Sequence, residues 1–127
     1  MIRVIAAVME RDGAVLICRR KNKDGSAGQW EFPGGKLEAG ETEAQCLVRE
    51  LWEELGVSAA VGEKLGEASH DYGGFSVRVA FYRADIISGE ITLHVHADAL
   101  WAEKGTLPRY DFLAADVDFV KRRSESK

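Results

Sequence analysis

Two apolar runs rich in β-branched residues, IRVIAAVM at 2–9 and AVLICRR at 14–20, flank the turn-forming ERDG and predict a hairpin or two neighbouring strands. Residues 21–29, KNKDGSAGQ, are polar and predict a loop. WEF at 30–32 predicts a short strand stopped by Pro33, after which Gly34-Gly35 opens conformations closed to other residues. The period then changes to that of a helix. Thr42 is placed as its N-cap, with Gln45 three positions on to complete a capping box, and Gly56 as its C-cap. Ala44, Leu47, Val48, Leu51 and Leu55 recur at helical spacing and predict one buried stripe. Beyond the helix, VSAAV (57–61) predicts a strand start, and EASHDY and FSVRVAFYRAD flank Gly73-Gly74 as a hairpin. ITLHVHA (91–97) and ALW (99–101) predict short strands, FLAADVDFVKRR (112–123) a closing helix, and SESK a frayed tail. Strands before, between and after two helices imply an α/β layered domain with a mixed sheet.

At 127 residues the chain is expected to be one domain, 1–127. Its net charge of −4 argues against a protein that grips a polymeric nucleic acid by its phosphates. A small anion carried with its own metal stays open. Cys18 and Cys46 lack CxxC spacing and read as buried thiols in a reducing compartment. The N-terminal run lacks the h-region and cleavage site of a signal peptide, and no apolar run is long enough for a bilayer, so a cytoplasmic protein without membrane partners is expected.

The stretch RELWEELG at 49–56 changes the picture, because it crowds Glu50, Glu53 and Glu54 into the end of the predicted helix. At 3.6 residues per turn the three fall within an arc of roughly 100°, turned away from the leucine stripe. Like charges at i,i+3 and i,i+4 cost about 0.2–0.5 kcal/mol each, and acids in the last turn oppose the helix dipole. A divalent cation would remove both penalties. Carboxylates with a backbone carbonyl from Gly34 or Gly35 suit Mg²⁺, with Mn²⁺ as the alternative, whereas zinc would want His or Cys. Mg²⁺ held by few carboxylates shares its other positions with water and substrate phosphates, which points to a diphosphate or triphosphate ligand.

Gly35, five residues, Glu41, seven residues and then RELWEELGV (49–57) resemble the Nudix box, G-x5-E-x7-R-E-U-x-E-E-x-G-U with U apolar, and every fixed position is met. WEFPGGKLEAGET at 30–42 is similar to the lead-in of the MutT-like branch, which includes 8-oxo-dGTP diphosphatases and CTP pyrophosphohydrolases. The resemblance implies a Nudix α/β/α sandwich and Mg²⁺-dependent hydrolysis of a nucleoside triphosphate to monophosphate and pyrophosphate, in nucleotide-pool sanitation. It implies a monomer or homodimer. Another nucleoside diphosphate derivative, such as ADP-ribose or a dinucleotide, and a catalytically weak nucleotide- or partner-binding domain are the competing functions.

By the same resemblance Glu50, Glu53 and Glu54 ligate metal, Glu50 or Glu53 also serves in catalysis, Arg49 orients its neighbouring glutamate, and Glu41 braces the junction of loop and helix. Arg20, Glu31, Phe32, Pro33, Gly34 and Asp116 are implied to meet the substrate, Asp116 at the base edge. An ionised Asp116 offers only acceptors and suits the two donors of guanine; pairing both positions of cytosine needs a proton on it, which only burial would supply. Trp30, Phe32 and Phe75 are stacking candidates that also suit a core. One position departs from the pattern. Where the branch carries a loop acid in an H-E-H-like sequence, Val95 sits between His94 and His96, so the helix glutamates suffice, or Asp98 or a histidine stands in, or turnover is weakened.

Overall fold

The computed structural model describes residues 1–125. Strand β1 (Ile2–Val8) is followed by β2 (Glu10–Arg11), β3 (Ala14–Lys21), β4 (Ala27–Glu31) and β5 (Gly34–Lys36). Helix α1 (Glu43–Leu55), β6 (Ser58–Asp71), β7 (Ser76–Ser88), β8 (Asp98–Glu103) and α2 (Val117–Glu125) complete the order, with 3₁₀ turns at Lys104–Arg109 and Ala114–Asp116. One sheet runs β5-β1-β7-β6, with β1 and β7 parallel and its other pairs antiparallel; the second is built on β3, which pairs with β2, β4 and β8.

The alternation along β1 explains the layering, because successive strand residues point to opposite faces. Ile5, Ala7 and Met9 join Leu47, Leu51 and Leu55 of α1 in one core. Ala6 and Val8 join Phe32, Phe81 and Phe119 of α2 in the other. The ring of Phe119 stacks on Phe81 with centroids 3.9 Å apart, which docks α2. The result is an α/β/α sandwich with a mixed sheet.

Several expected elements shift. The loop expected at 21–29 ends early, because β4 begins at Ala27. VSAAV and EASHDY belong to one bulged strand of 14 residues whose register slips near Lys64 and Gly66. Residues 91–97 are no strand: Thr92 and His94 donate their N–H groups to the carbonyls of Leu55 and Glu54, closing the end of α1, and Leu93 and Val95 are exposed. The closing helix starts only at Val117, since Leu113 N–H is bonded to Trp30 O and ties the chain to β4 first. Within α1, Ala44 and Val48 are exposed and Cys46 is buried in their place. Cys18 is also buried and both thiols are free. Among the described residues no helix is long and apolar enough to cross a membrane.

Candidate active site

The capping box fixes the register of α1. Thr42 Oγ1 accepts from Gln45 N–H at 3.1 Å, and Gln45 Oε1 accepts from Thr42 N–H at 2.9 Å. Gly56, at φ +68°, closes the far end with its N–H on Trp52 O. Between them Arg49 fans across the acids. Its Nε and Nη2 donate to the two oxygens of Glu41 at 2.7 and 3.0 Å, and its Nη1 donates to Glu50 Oε1 at 2.8 Å and Glu53 Oε2 at 3.2 Å. Hydrogen bonding from Arg49 pulls the Glu41 carboxyl down to about 2. Part of the repulsion expected among the acids is therefore relieved by the chain's own arginine. Arg49 and Glu41 stand where an orienting and a bracing residue would.

The glutamates differ in exposure. Glu53 is 54% exposed and held toward Arg49, while Glu50 and Glu54 line a cavity of about 850 Å³. Among the described residues no three of His, Cys, Asp and Glu are gathered as a metal cluster. Of the three expected carboxylates, Glu50 and Glu54 line the cavity, and Glu53 is joined to Glu50 through the shared Arg49 Nη1. Glu54 lies inward, next to the leucine stripe that was expected to be remote from it. Burial pushes its carboxyl up to about 7, with the nearby His96 and a hydrogen bond from Gly34 N–H pulling the other way.

The glycine pair completes the corner. The bonds Ala7 N–H to Pro33 O and Leu37 N–H to Arg3 O set the phase of the β1–β5 ladder. Gly35 thus falls in a hydrogen-bonded pair with Ile5, and Gly34 turns its N–H and carbonyl away from β1. Its N–H reaches Glu54 Oε1 at 3.0 Å. Gly34 is therefore the glycine whose carbonyl the ladder leaves free. Gly34 has φ +151°, and a Cβ there would overlap the Ile5 carbonyl. A Cβ on Gly35 would occupy the space of the Glu50 carboxylate. Two carboxylates and a free carbonyl opening on a cavity are the hard-oxygen donor set of Mg²⁺ or Mn²⁺ that keeps places for phosphate. Gly35→Ala should lower turnover more than about tenfold with little change in melting temperature, since only the end of the Glu50 side chain must move; circular dichroism melting beside a pyrophosphate-release assay checks this, and unimpaired turnover would contradict it.

Arg20, Glu31, Phe32 and Asp116 also line the cavity. Pro33 does not: it is buried, and its carbonyl accepts from Ala7 N–H inside the ladder. Glu31 accepts from Arg20 Nη1 at 3.1 Å and lies 2.9 Å from His96 Nε2. Asp116, 5% exposed, ends the 3₁₀ turn; burial, reinforced by Glu31 and opposed by Arg20, pushes its carboxyl up to about 8.

No acid replaces Val95, which is 51% exposed. Asp98 is exposed and accepts from its neighbour Ala99, and His94 Nδ1 lies on Glu53 O. His96 is the one of these four that reaches the cavity's lining, through Glu31. Trp30 is buried in the core, whereas Phe75 lines the cavity together with Tyr72 and Lys36. Tyr72 and Lys36 escaped the sequence reading; the aromatic pair bracketing Gly73-Gly74 was the signal for the former.

The family description NUDIX domain matches residues 1–116. A CTP pyrophosphohydrolase of Escherichia coli is 36% identical over 121 residues, covering 95% of this chain and 90% of its own length. A putative 8-oxo-dGTP diphosphatase 2 of Mycobacterium tuberculosis is 37% identical over 120 residues, covering 92% and 84%. The solution structure of the E. coli ORF135 protein superposes with a TM-score of 0.84 at 35% identity, covering 95% of this chain and 86% of that one.

Proposed function

The chain belongs to the NUDIX domain family and is a hydrolase acting on phosphorus anhydrides, and from that premise we propose that it is a Mg²⁺-dependent nucleoside triphosphate pyrophosphohydrolase that takes cytosine nucleotides. The observation that carries this reading is one cavity with Glu50, Glu54 and the Gly34-Gly35 turn on its wall and a buried, proton-holding Asp116 among its lining residues. The first group suits a metal-bound polyphosphate and the second a base. Packing of Phe119 and Val120 of α2, which lies beyond the NUDIX match, into the core shared with β1 and β7 supports one domain for the whole chain.

Glu50, Glu54 and the Gly34 carbonyl would hold the cation, and Glu53, tied to Glu50 through Arg49, is the third candidate. When bound, the cation would neutralise charge on the phosphate oxygens as water attacks. Arg49 takes one oxygen of Glu50 and leaves the other to hold the cation or to accept the proton of that water, while Glu41 keeps the guanidinium in place. The water oxygen bonds to phosphorus, the bond to the bridging oxygen breaks, and monophosphate and pyrophosphate leave. Lys36 and Arg20, exposed at the cavity, offset the triphosphate charge.

Asp116 is the candidate reader of the base edge. A neutral carboxyl has one donor and one acceptor, which match N3 and the N4 amino group of cytosine. An ionised carboxylate would instead suit the two donors of guanine. A second reading, an oxidised guanine nucleotide, is favoured by the relative named for 8-oxo-dGTP, and the neutral carboxyl can also meet N1–H and O6 of guanine. A panel of canonical, oxidised and methylated nucleoside triphosphates with Mg²⁺, scored by pyrophosphate against phosphate release, tests this. The expected result is pyrophosphate, fastest from a cytosine nucleotide; phosphate as the product, or preference for ADP-ribose, would overturn it.

A further inference from the structure

The hairpin β6–β7 carries aromatic side chains past the end of its sheet. Tyr72 N–H donates to Phe75 O at 2.8 Å, so Gly73 and Gly74 form a two-residue turn, with Gly73 at φ +96°. This pairing continues the ladder beyond Asp71 and Ser76, which are register partners. Directly opposed residues share a face, and so do residues two apart along a strand. His70 and Tyr72 on one strand therefore lie on the face of Phe75, Val77 and Val79 on the other. Val77 and Val79 line the cavity, and so do Tyr72 and Phe75.

The rings form a column. His70 meets Tyr72 edge to face at 4.5 Å, and Tyr72 stacks on Phe75 at 5.2 Å with 19° between their planes. Phe75 ends the column and is 52% exposed. Leaving a phenyl ring half in water is unfavourable in proportion to its apolar area, while a nucleobase offers a π-face of matching shape. The column is also anchored beside the base-edge candidate. Tyr72 Oη accepts from Ala115 N–H at 3.2 Å, and Asp116 is the next residue.

We infer that Phe75, backed by Tyr72, is the stacking platform for the substrate's base, holding its face while Asp116 reads its edge. This deepens the nucleotide reading of the same cavity and rests on it.

The test compares CTP with ribose 5-triphosphate, which keeps the sugar and the phosphates and lacks the base. Phe75→Ala should raise KM for CTP about tenfold, the equivalent of ~1.4 kcal/mol and within the range of base–aromatic stacking, with kcat changed less than about twofold. KM for ribose 5-triphosphate should stay within about twofold, and Phe75→Trp should restore CTP binding. Equal shifts for both substrates, or an unmoved KM for CTP, would overturn the platform while leaving the pyrophosphohydrolase reading intact. Failure of the unaltered protein to cleave either triphosphate would overturn that reading and this one with it.

Discussion

Glu54→Gln should remove Mg²⁺-dependent pyrophosphate release by more than about 100-fold, exceeding the ~10–100-fold typical of outer-shell partners of a metal, and should make the metal-free protein more stable above pH 7. The two effects share one cause. Burial raises the Glu54 carboxyl to about 7 from an ordinary 4.5, so the folded chain holds its proton more tightly than the unfolded chain does. That contribution is fully present below pH 4.5 and is lost as pH rises through about 7. A glutamine of the same shape never ionises and escapes the loss. In chelator at pH 8 the variant should melt above the unaltered protein, and at pH 4 the two should converge. With Mg²⁺ the order should narrow or reverse, because a ligand that binds only the folded state stabilises it by mass action and only the carboxylate form binds well. Unchanged turnover in Glu54→Gln would remove this glutamate from the metal site.

The second large effect concerns the base. With Asp116 titrating at about 8, KM for CTP should rise as pH passes from 7 to 9, since ionisation replaces the donor needed by cytosine N3 with a second acceptor. A guanine nucleotide should not share this loss, because N1–H and the N2 amino group both donate to a carboxylate. Asp116→Asn, whose amide always offers one donor and one acceptor, should flatten the pH profile for CTP and keep KM within about threefold at pH 7, each pH unit of an ionisation being worth up to tenfold. The variant should also be the more stable above pH 8: the raised carboxyl contributes stability below pH 3.8 that is lost as pH rises through about 8. Steady-state kinetics at several pH values check this, and parallel profiles for cytosine and guanine nucleotides in both proteins would show that the base is read elsewhere.

What was legible in the sequence depended on how local its cause was. The ends of α1 were written in Thr42, Gln45 and Gly56, whose hydrogen bonds span only a few residues, and the structure has both halves of the capping box. The layered α/β architecture with a mixed sheet followed from strand and helix periods, which local burial decides, and the sandwich itself from the Nudix resemblance. The exposure of Glu53 was not legible, because helical spacing places three carboxylates near one another without saying which of them the rest of the fold covers. Residues 91–97 alternate like a strand, yet they pair with the end of α1 instead of a sheet edge, a partner some 40 residues away in the chain. The burial of Asp116 has no local sign, because it came from tethering of the preceding residues to β4. Phe75 and Trp30 look alike in sequence; tertiary contacts put one in the core and the other over the cavity.

The central claim is that Glu50 and Glu54 hold a divalent cation that grips a polyphosphate. Titrating Mn²⁺ into the protein with a non-hydrolysable CTP analogue, and following free Mn²⁺ by electron paramagnetic resonance, measures this directly. The free-ion signal should fall on adding the unaltered protein, fall below the level set by the analogue alone when both are present, and stay at its protein-free level with the double variant Glu50→Gln, Glu54→Gln. Equal depletion by the unaltered protein and the double variant would contradict it.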